Sequence, residues 1–493
     1  MAKELSARDV DSLVKQAWKA FHEYRKCSLS SRAKFMKTIA AQIESTADEL
    51  IRIAMEETNL PDGRIRGEKN RTVFQLTSYA DACERGDWLE SRIDLADPAR
   101  AIPKPDTRKM LIPLGPVVVF GASNFPFAYS TAGGDTATAF AAGCPVIVKA
   151  HPGHPRTSDA VAEAIFKAAE ICQLPKAIFT HVHGEGFEIG KLLVTHPLVK
   201  AVGFTGSFAG GKALFDLANQ RREPIPVFAE MGSINPVFLL PEKLRQSPSE
   251  IAKVYASSIT LSVGQFCTNP GLVVGLDGPD LNEFIGLLGE EIRKINPGKM
   301  LHPGIAKSFV EKRKNALSQE EVETIAVSET AAGENEGLPT IASASASAFL
   351  NNPVLHQEVF GPYSLVIRCE SPEEMQEVAL HIEGQLTSTL MATDKDMRDH
   401  EELVEWVKNI CGRLIMNGVP TGVEVALSMQ HGGPYPATTD SRFGSVGADG
   451  IKRFARPICF QNWPDHLLPD ELKNSNPLGI WRTVNNELTK SPI

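Results

Sequence analysis

Apolar positions along the N-terminal part of the chain recur at steps of three and four residues. One series runs through Val10, Leu13, Val14, Ala17 and Ala20 and continues through Phe35, Ile39, Ile43 and Leu50. This spacing places apolar side chains on one face of a helix, so it predicts helices from about Ser6–Ala7 to Glu84. The next stretch, from Asp94 to Lys109, is rich in proline and charge. We expect it to be an extended excursion outside the core.

The pattern changes at Leu111, where short apolar runs begin to alternate with helical segments. Val117 to Phe120 is a continuous apolar run, which is typical of a strand covered on both faces. Strands are predicted at 145–149, 177–182, 199–204 and 226–229, with an alanine-rich segment at 132–143 and helices at 156–172, 187–195 and 210–219. A second alternation extends from Asn235 to about Gly422, and the tail after Gly447 is predicted to be irregular. This order predicts an α/β fold with a parallel, doubly wound sheet.

Chain length, net charge and cysteine spacing limit the classes of protein that fit this sequence. A chain of 493 residues exceeds a single simple core, so we expect two or three domains. The net charge of −9 argues against nucleic acid or an anionic membrane as the main partner. The eight cysteines are scattered singly, without the spacing of a zinc site or a disulfide scaffold. No stretch is apolar and long enough to span a bilayer. These features predict no metal and a cytoplasmic location.

Two residues stand out as candidates for chemistry. Glu230 directly follows the predicted strand at 226–229, and ligands of open α/β sheets bind at the carboxyl ends of strands. A carboxylate there is placed to act as a general base, although most strand-end glutamates are simply solvated. Cys267 lies in a short loop, Gly264 to Thr268, after the apolar helix Ile251 to Leu261. That setting is typical of an accessible thiol, whereas Cys144 and Cys411 adjoin strands and are expected to pack.

The order of five segments resembles the aldehyde dehydrogenase superfamily. Its signature pairs a glutamate motif with a cysteine motif at about the separation found here, 37 residues from Glu230 to Cys267. The segments are Ser123-Asn124-Phe125-Pro126, Phe204-Thr205-Gly206-Ser207, Glu230-Met231-Gly232-Ser233, Gly264-Gln265-Phe266-Cys267-Thr268 and Glu358-Val359-Phe360-Gly361-Pro362. The resemblance implies a Rossmann-type cofactor domain (1–93 and 112–230), an α/β catalytic domain (231–440) and a small oligomerisation element (94–111 and 441–493).

The resemblance also implies how the catalytic residues act. The Cys267 thiolate would attack an aldehyde and form a thioester. The side-chain amide of Asn124 and the backbone N–H of Cys267 would donate to the oxyanion. Glu230 would activate the water that opens the thioester, and would also take the proton of the cysteine. The family's usual glutamate motif is altered after its first residue, but the carboxylate itself is kept.

A nicotinamide cofactor is implied by the same resemblance. No G-x-G-x-x-G stands where a standard dinucleotide turn needs it, and the family uses a turn with a helix N-terminus, here Gly206 and Ser207 with Gly211 one turn on. Lys149 is implied to bind the adenosine ribose, Glu358 the nicotinamide ribose and Phe360 the nicotinamide. For Phe360 alone, plain core packing is an equal alternative.

One departure bears on the choice between NAD and NADP. Many NAD-using relatives carry a glutamate three residues after the lysine, where it grips both ribose hydroxyls. Position 152 is a proline in this chain, so no carboxylate there repels a 2′-phosphate, and Arg156 or His151 is a candidate to neutralise one. We expect NADP to be preferred and NAD to be accepted.

Further segments resemble a subgroup that oxidises 2,5-dioxopentanoate and related NADP-linked long-chain aldehyde dehydrogenases. These segments are Lys149-Ala150-His151-Pro152, the run from His431 to Thr438 and the tail from Arg456 to Gln461. The implied product is 2-oxoglutarate, and the implied assembly is a homodimer or homotetramer. A substrate with a distal carboxylate calls for a cation in the substrate funnel.

Three residues are candidates for the substrate funnel: Arg71, Phe127 and His431. An arginine in a charged helix is usually solvated, and His431 in this position is as consistent with capping a loop. Two other functions stay open at this point. One is oxidation of fatty aldehydes, which calls for an apolar funnel, and the other is a binding protein without activity. The intact Asn124, Glu230, Cys267 and Lys149 argue against the second of these.

Overall fold

Helices make up the N-terminal part of the chain, as its apolar spacing predicts. The computed structural model describes residues 5–184 and 186–493. The Ser6 side chain caps the first helix by accepting from the Asp9 N–H. The elements of this part are α1 (Ala7–Tyr24), α2 (Leu29–Ser45), α3 (Ala47–Thr58), α4 (Asp62–Arg85), β1 (Arg92–Asp94) and β2 (Thr107–Pro113).

The next part contains a five-stranded parallel sheet in the order β5-β4-β3-β6-β7. Its elements are β3 (Val117–Phe120), α5 (Gly134–Ala142), β4 (Val146–Lys149), α6 (Pro155–Ile171), β5 (Phe179–Val182), α7 (Glu188–Thr195), β6 (Ala201–Thr205), α8 (Phe208–Asn219) and β7 (Val227–Glu230). Every strand predicted in this part is present, with ends shifted by two residues or fewer. The confirmed α/β class therefore rests on a sheet whose last strand, β7, ends on Glu230.

Both faces of this sheet are buried. On one face Val117 and Val146 pack with residues of α2, α5 and α6. On the other face Val118 and Ile147 pack with residues of α1, α7 and α8. Burial on both faces explains why these strands are continuous apolar runs rather than alternating ones.

The second alternation forms a seven-stranded sheet in the order β11-β13-β14-β9-β8-β15-β16, in which only the β11–β13 pair is antiparallel. Its strands are β8 (Val237–Leu239), β9 (Leu272–Leu276), β10 (Gly298–Lys299), β11 (Glu323–Val327), β12 (Glu336–Gly337), β13 (Thr340–Ser345), β14 (Tyr363–Cys369), β15 (Gln385–Met391) and β16 (Cys411–Met416), of which β10 and β12 pair separately. Its helices are α9 (Pro241–Gln246), α10 (Pro248–Thr260), α11 (Pro279–Lys294), α12 (Pro303–Leu317), α13 (Ala346–Asn351), α14 (Pro372–His381), α15 (Asp394–Asp399) and α16 (Glu401–Ile410).

The prediction of an irregular tail is wrong. The tail contains β17 (Ala455–Gln461), β18 (Arg482–Val484) and β19 (Glu487–Thr489). They form a third sheet with the proline-rich excursion, in the order β17-β2-β1-β18-β19. Part of the excursion is also buried rather than outside the core: Arg108 is buried, and its guanidinium donates to the Leu472 carbonyl at 2.7 Å. No helix among the described residues is both long and apolar enough to cross a membrane.

Candidate active site

Glu230 is the last residue of β7 and its side chain is buried. The connection between β16 and β17 is anchored to this strand end: Thr438 forms a bridge with Glu230, and the Met231 N–H donates to the Ala437 carbonyl at 2.7 Å. The same connection brings Ser445 Oγ to donate to Glu230 Oε2 at 2.7 Å. It also places His431 Nε2 2.9 Å from Glu230 Oε1.

These contacts keep the Glu230 carboxyl ionised. Burial alone would raise its pKa, but the neighbouring His431, Ser445 and Cys267 outweigh burial, so the net pKa lies below its usual value. An ionised carboxylate can accept a proton, as a general base must.

The loop before Cys267 has an uncommon backbone. Ser262, Val263 and Gly264 follow α10 in sequence and all have positive φ, at 48°, 60° and 65°. A β-branched residue such as Val263 is rarely found there, so the turn is imposed by its surroundings. A side chain at Gly264 would collide with the backbone of Gly361. The cysteine loop is thus pressed against the segment that contains Glu358 and Phe360.

Cys267 is half-buried beside Glu230. Its Sγ lies 3.6 Å from His431 Nε2, and its carbonyl accepts from Asn235 Nδ2 at 2.9 Å. Burial raises the pKa of the Cys267 thiol well above its usual value, and the negative charge of Glu230 raises it further. The thiol is therefore neutral at rest, and forming the nucleophilic thiolate requires a base at this position.

Asn124 approaches the same loop from the carboxyl end of β3. Its Nδ2 donates to the Gln265 carbonyl at 3.2 Å, two residues before Cys267. Its own backbone carbonyl accepts from Arg64 Nη2 at 3.4 Å. The amide nitrogen carries two hydrogens, and the contact with Gln265 uses one of them.

A single cavity of about 560 Å³ joins these residues to the carboxyl ends of the parallel strands. This volume is within the range of pockets that bind small molecules and cofactors. Eight of the residues predicted from sequence line it: Asn124, Lys149, Gly206, Ser207, Glu230, Cys267, Glu358 and Phe360. The cavity therefore connects the candidate cysteine directly to the candidate cofactor turn.

The turn at the start of α8 is built from backbone. Ser207 caps the helix, because its Oγ accepts from the Gly210 N–H at 3.3 Å. We expected Gly211 at this turn, but it faces β7, where an added Cβ would lie 2.7 Å from Met231. Within the described lining of the cavity, Gly210 stands where Gly211 was expected. Gly211 permits close packing of the helix on the strand.

Glu358 lies at the opposite wall. Its Oε1 accepts from the Ser233 N–H at 3.4 Å. Burial raises the pKa of the Glu358 carboxyl, and the charge of Lys312 offsets this only in part. A buried carboxyl facing a cavity is suited to pair with hydroxyl groups of a ligand.

Of the two residues predicted to neutralise a 2′-phosphate, only one lies at the cavity. His151 lines it next to Lys149, and burial lowers the pKa of His151 to about 3. His151 is thus neutral and offers a hydrogen bond rather than a charge. Arg156 instead pairs with Glu56 at 2.8 Å on the surface and is absent from the described lining.

The residues predicted to line the substrate funnel also differ in where they lie. Phe127 is fully buried in the core, where its N–H donates to Glu68 Oε1 at 2.8 Å, so it does not form a funnel wall. Arg71 Nη2 donates to Tyr129 Oη at 2.9 Å, and the Tyr129 ring packs at 5.9 Å from the His431 ring. Arg71 is close enough to Cys267 that its charge lowers the pKa of the thiol.

Comparison with known proteins gives the family. A model described as "Aldehyde dehydrogenase family" matches residues 2–455. The chain belongs to the aldehyde dehydrogenase family. Among curated proteins, this aldehyde dehydrogenase is 47% identical over 475 residues to Alpha-ketoglutaric semialdehyde dehydrogenase 2 of Azospirillum brasilense, covering 96% of this chain and 90% of the relative. It is 43% identical over 485 residues to Alpha-ketoglutaric semialdehyde dehydrogenase of Acinetobacter baylyi, covering 98% and 92%.

Solved structures agree on the fold. A glyceraldehyde-3-phosphate dehydrogenase of Methanocaldococcus jannaschii complexed with NADP superposes with a TM-score of 0.78 at 18% identity, covering 93% of this chain and 95% of that one. A succinic semialdehyde dehydrogenase of Streptococcus pyogenes with NADP⁺ gives 0.77 at 18% identity, covering 93% and 96%. At this identity the likeness of the aldehyde dehydrogenase to both concerns the fold alone.

Sequence reasoning missed three residues around the catalytic pair of this aldehyde dehydrogenase. Asn235 is buried with a φ of 48° and holds the Cys267 carbonyl, and its only sequence signal is its place directly after the altered glutamate motif. Ser445 lies 215 residues from its partner Glu230. Arg413, on β16, lies close enough to Cys267 for a charge on the sulfur to raise the pKa of Arg413, although burial dominates and lowers that pKa.

Proposed function

We propose that this aldehyde dehydrogenase oxidises 2,5-dioxopentanoate to 2-oxoglutarate with a nicotinamide cofactor. The observation that carries the proposal is the neutral Cys267 thiol beside the ionised Glu230 carboxylate, with Arg71 close to the thiol. The pair supplies a nucleophile and a base, and the arginine supplies a cation for a carboxylate at the far end of the substrate. The names of the two similar curated proteins support the choice of aldehyde.

The cavity fits a dinucleotide. The turn of Gly206 and Ser207 at the start of α8 offers backbone N–H groups and a helix N-terminus to a pyrophosphate. Lys149 would bind the adenosine ribose, Glu358 would accept from the nicotinamide ribose hydroxyls, and Phe360 would pack near the nicotinamide. When bound, the nicotinamide supplies a hydride acceptor.

Catalysis begins with proton transfer from the Cys267 thiol to Glu230. The sulfur then forms a bond to the aldehyde carbon, and the carbonyl oxygen becomes an oxyanion. Asn124 Nδ2 and the Cys267 N–H donate to that oxygen. Loss of hydride leaves a thioester on Cys267. Glu230 releases the first proton to solvent and, as a carboxylate again, takes a proton from water, whose oxygen attacks the thioester carbon. The C–S bond breaks, the leaving sulfur takes the proton back from Glu230 to restore the thiol, and the acid product ionises to the carboxylate.

We further propose that NADP is preferred and NAD is accepted. The acidic residues of the described cavity lining are Glu230 and Glu358, both at the catalytic end. Around Lys149 the described lining instead offers His151, Pro152 and His302. With proline at position 152, a 2′-phosphate there would meet no carboxylate from that position, which removes the usual basis for rejecting it.

The substrate assignment depends on the two arginines. Arg71 lies against the Tyr129 ring, its guanidinium carbon 5.3 Å from the ring centroid, and Arg413 is held by the Pro420 and Gly422 carbonyls. Charge-assisted hydrogen bonds to a carboxylate contribute about 1.5–3 kcal/mol, which corresponds to roughly ten- to a hundredfold in kcat/KM. Two cations close to the reacting sulfur favour an acidic aldehyde over an alkanal.

The experiment is a kinetic comparison of 2,5-dioxopentanoate, propanal and a long-chain alkanal. Arg71→Ala should lower kcat/KM for 2,5-dioxopentanoate by about ten- to a hundredfold and leave propanal within about threefold. Arg66→Ala is the matched control, because Arg66 is on the same helix but pairs with Asp62 at the surface. Equal losses for both substrates would make Arg71 structural. A parent enzyme that prefers long alkanals would make it a fatty aldehyde dehydrogenase.

Assembly and location complete the proposal. We propose a homodimer or homotetramer in which the third sheet, built from 94–111 and the tail, contributes to the interface. All eight cysteines are unpaired, which is consistent with a reducing compartment such as the cytoplasm.

A further inference from the structure

Two histidines and an aspartate meet at the outer edge of the five-stranded parallel sheet. His181 is in β5, the first strand in the order β5-β4-β3-β6-β7, and His183 directly follows the end of that strand. Asp159 is on α6. The three residues bring two ring nitrogens and a carboxylate oxygen within 4.8 Å of one another. They are absent from the described lining of the active-site cavity, so they form a separate cluster.

The strand explains why both rings point toward α6. Side chains two residues apart in a strand lie on the same face of the sheet. Phe179, two residues before His181, packs in the core with residues of α6. The rings of His181 and His183 are 5.0 Å apart and nearly perpendicular. Asp159 Oδ1 lies 3.4 Å from His181 Nδ1 and 2.6 Å from His183 Nε2, so one oxygen faces both rings.

Hydroxyl groups hold the buried ring from its other side. Ser158 Oγ lies 2.9 Å from His181 Nε2, and Thr131 Oγ1 lies 2.5 Å from Ser158 Oγ. This contact turns His181 Nδ1 toward Asp159. The His181 side chain is only 6% exposed, so the ring is fixed in this orientation by its surroundings. Histidines that bind metals are usually held in the same way through the nitrogen that does not face the ion.

We propose that His181 Nδ1, His183 Nε2 and the Asp159 carboxylate bind one divalent transition-metal ion such as Zn²⁺. Two imidazoles and a carboxylate are ligands that Zn²⁺ takes in proteins, at about 2.0–2.2 Å in a tetrahedral arrangement. Such bonds place neighbouring ligand atoms roughly 3.3–3.5 Å apart. The distance of 3.4 Å between His181 Nδ1 and Asp159 Oδ1 already matches this geometry.

The remaining adjustment is small. The direct contact between His183 and Asp159 has to open by roughly 0.8 Å to admit an ion. Their side chains are 30% and 57% exposed, so both can move and water can complete the coordination. The expectation of no metal rested on the spacing of the cysteines, and this cluster contains none of them.

An ion at this position would join an edge strand to the helix that packs on it. Within residues 5–184 and 186–493, β5 pairs with β4 on one side and with no strand on the other. The ligands come from β5, from the residue after it and from α6, so only the folded chain brings them together. Binding would therefore stabilise the folded enzyme. The inference does not depend on the proposed substrate.

The test measures Zn²⁺ binding by competition with a chromogenic chelator, in the full-length Cys267→Ala enzyme. That background is needed because Cys267, Glu230 and His431 form a second group of possible ligands. We expect one Zn²⁺ per chain. Adding His183→Ala removes a direct ligand and should weaken binding by at least ten- to a hundredfold, the usual cost of losing even an outer partner of a metal ligand.

Two further variants separate a built site from a surface ion pair. His196→Ala is the matched control, because His196 pairs with Asp11 at 3.4 Å outside this cluster, and it should leave Zn²⁺ binding unchanged. Ser158→Ala keeps all three ligands but removes the hydroxyl that orients His181, and it should weaken binding by about tenfold or more. A plain pair of His183 and Asp159 would not respond to Ser158→Ala.

Thermal unfolding gives an independent readout. Zn²⁺ should raise the Tm of Cys267→Ala and not that of the variant that also carries His183→Ala, whereas Mg²⁺ should raise neither. Circular dichroism verifies that the variants fold. The proposal is overturned if His183→Ala binds Zn²⁺ as tightly as His196→Ala, if Ser158→Ala has no effect on binding, or if Mg²⁺ stabilises the enzyme as Zn²⁺ does.

Discussion

At the scale of single residues, Cys267 and Glu230 share one buried environment but respond to it in opposite directions. Burial and the charge of Glu230 raise the pKa of the thiol. Burial acts the same way on Glu230, but the neighbouring His431, Ser445 and Cys267 reverse the outcome and lower its pKa. A proton therefore rests on sulfur and moves to the carboxylate only as an uphill step.

This predicts a two-part pH profile for labelling of Cys267 by iodoacetamide. Proton transfer within the pair involves no exchange with solvent, so it gives a low rate that is independent of pH around neutrality. Only at a pH above the ordinary thiol pKa of about 8.5 should the rate rise, as solvent removes the proton. Glu230→Gln should abolish the neutral plateau and shift the rise to lower pH, because the negative charge that raises the thiol pKa is gone. A plateau that persists in Glu230→Gln would contradict the role of Glu230 as base.

The cofactor preference also depends on one position. Pro152→Glu places a carboxylate next to Lys149, and it should lower kcat/KM for NADP by about tenfold or more through repulsion of the 2′-phosphate. The matched control is Pro152→Gln, which has nearly the same shape and no charge. NAD should be affected equally by the two variants. A parent enzyme that is strongly selective for NAD would contradict this explanation.

At the scale of elements, the site depends on the contact between the cysteine loop and the segment around Glu358 and Phe360. Gly264 allows that contact, since it has a φ of 65° and leaves no room for a Cβ against Gly361. Three loop residues with positive φ before Cys267 are stable only because this packing holds them.

Gly264→Ala should separate the two segments. We expect a loss of stability of about 1–3 kcal/mol from the strained backbone, and a drop in kcat of about a hundredfold because Cys267 and the nicotinamide site move apart. Gly286→Ala is the control, because Gly286 lies in α11 with open space around it and should be neutral or slightly stabilising. Chemical denaturation and steady-state kinetics measure both. Unchanged activity in Gly264→Ala would show that the contact is not needed.

The elements also show which parts of the fold and of the site can be predicted from the sequence. The parallel strands were predictable to within two residues, because strands buried on both faces are unbroken apolar runs flanked by helices. The strands of the tail were not, because β17 pairs with β2 across most of the chain and contains a proline. Cys267, Glu230 and Asn124 could be found from local motifs. His431 and Ser445 could be placed beside them only by the fold, which joins positions 164 and 215 residues apart.

At the scale of the whole molecule, the third sheet leaves large apolar side chains on the surface. Ile102, in the excursion, is 81% exposed and Leu488, on β19, is 68% exposed. The two outer strands of this sheet, β17 and β19, also have one unpaired edge each. Exposed apolar residues beside open strand edges are typical of surfaces that assemble.

The double substitution of Ile102→Arg and Leu488→Arg should shift the enzyme toward the mass of a single chain in light scattering. The control is Val310→Arg, which charges an exposed apolar position on α12, outside this sheet. A mass unchanged by the double substitution would place the interface elsewhere.

The central claim is that 2,5-dioxopentanoate is oxidised through a thioester on Cys267. The most direct measurement mixes Glu230→Gln with 2,5-dioxopentanoate and NADP⁺ at an alkaline pH, where solvent forms the thiolate without the help of Glu230. It follows NADPH within the first turnover and then analyses the quenched protein by peptide mass spectrometry. We predict a burst of about one NADPH per active site and a 2-oxoglutaryl group on the Cys267 peptide, because hydrolysis lacks its base. Cys267→Ala should give neither. An adduct on another residue, or NADPH formation in Cys267→Ala, would contradict the account.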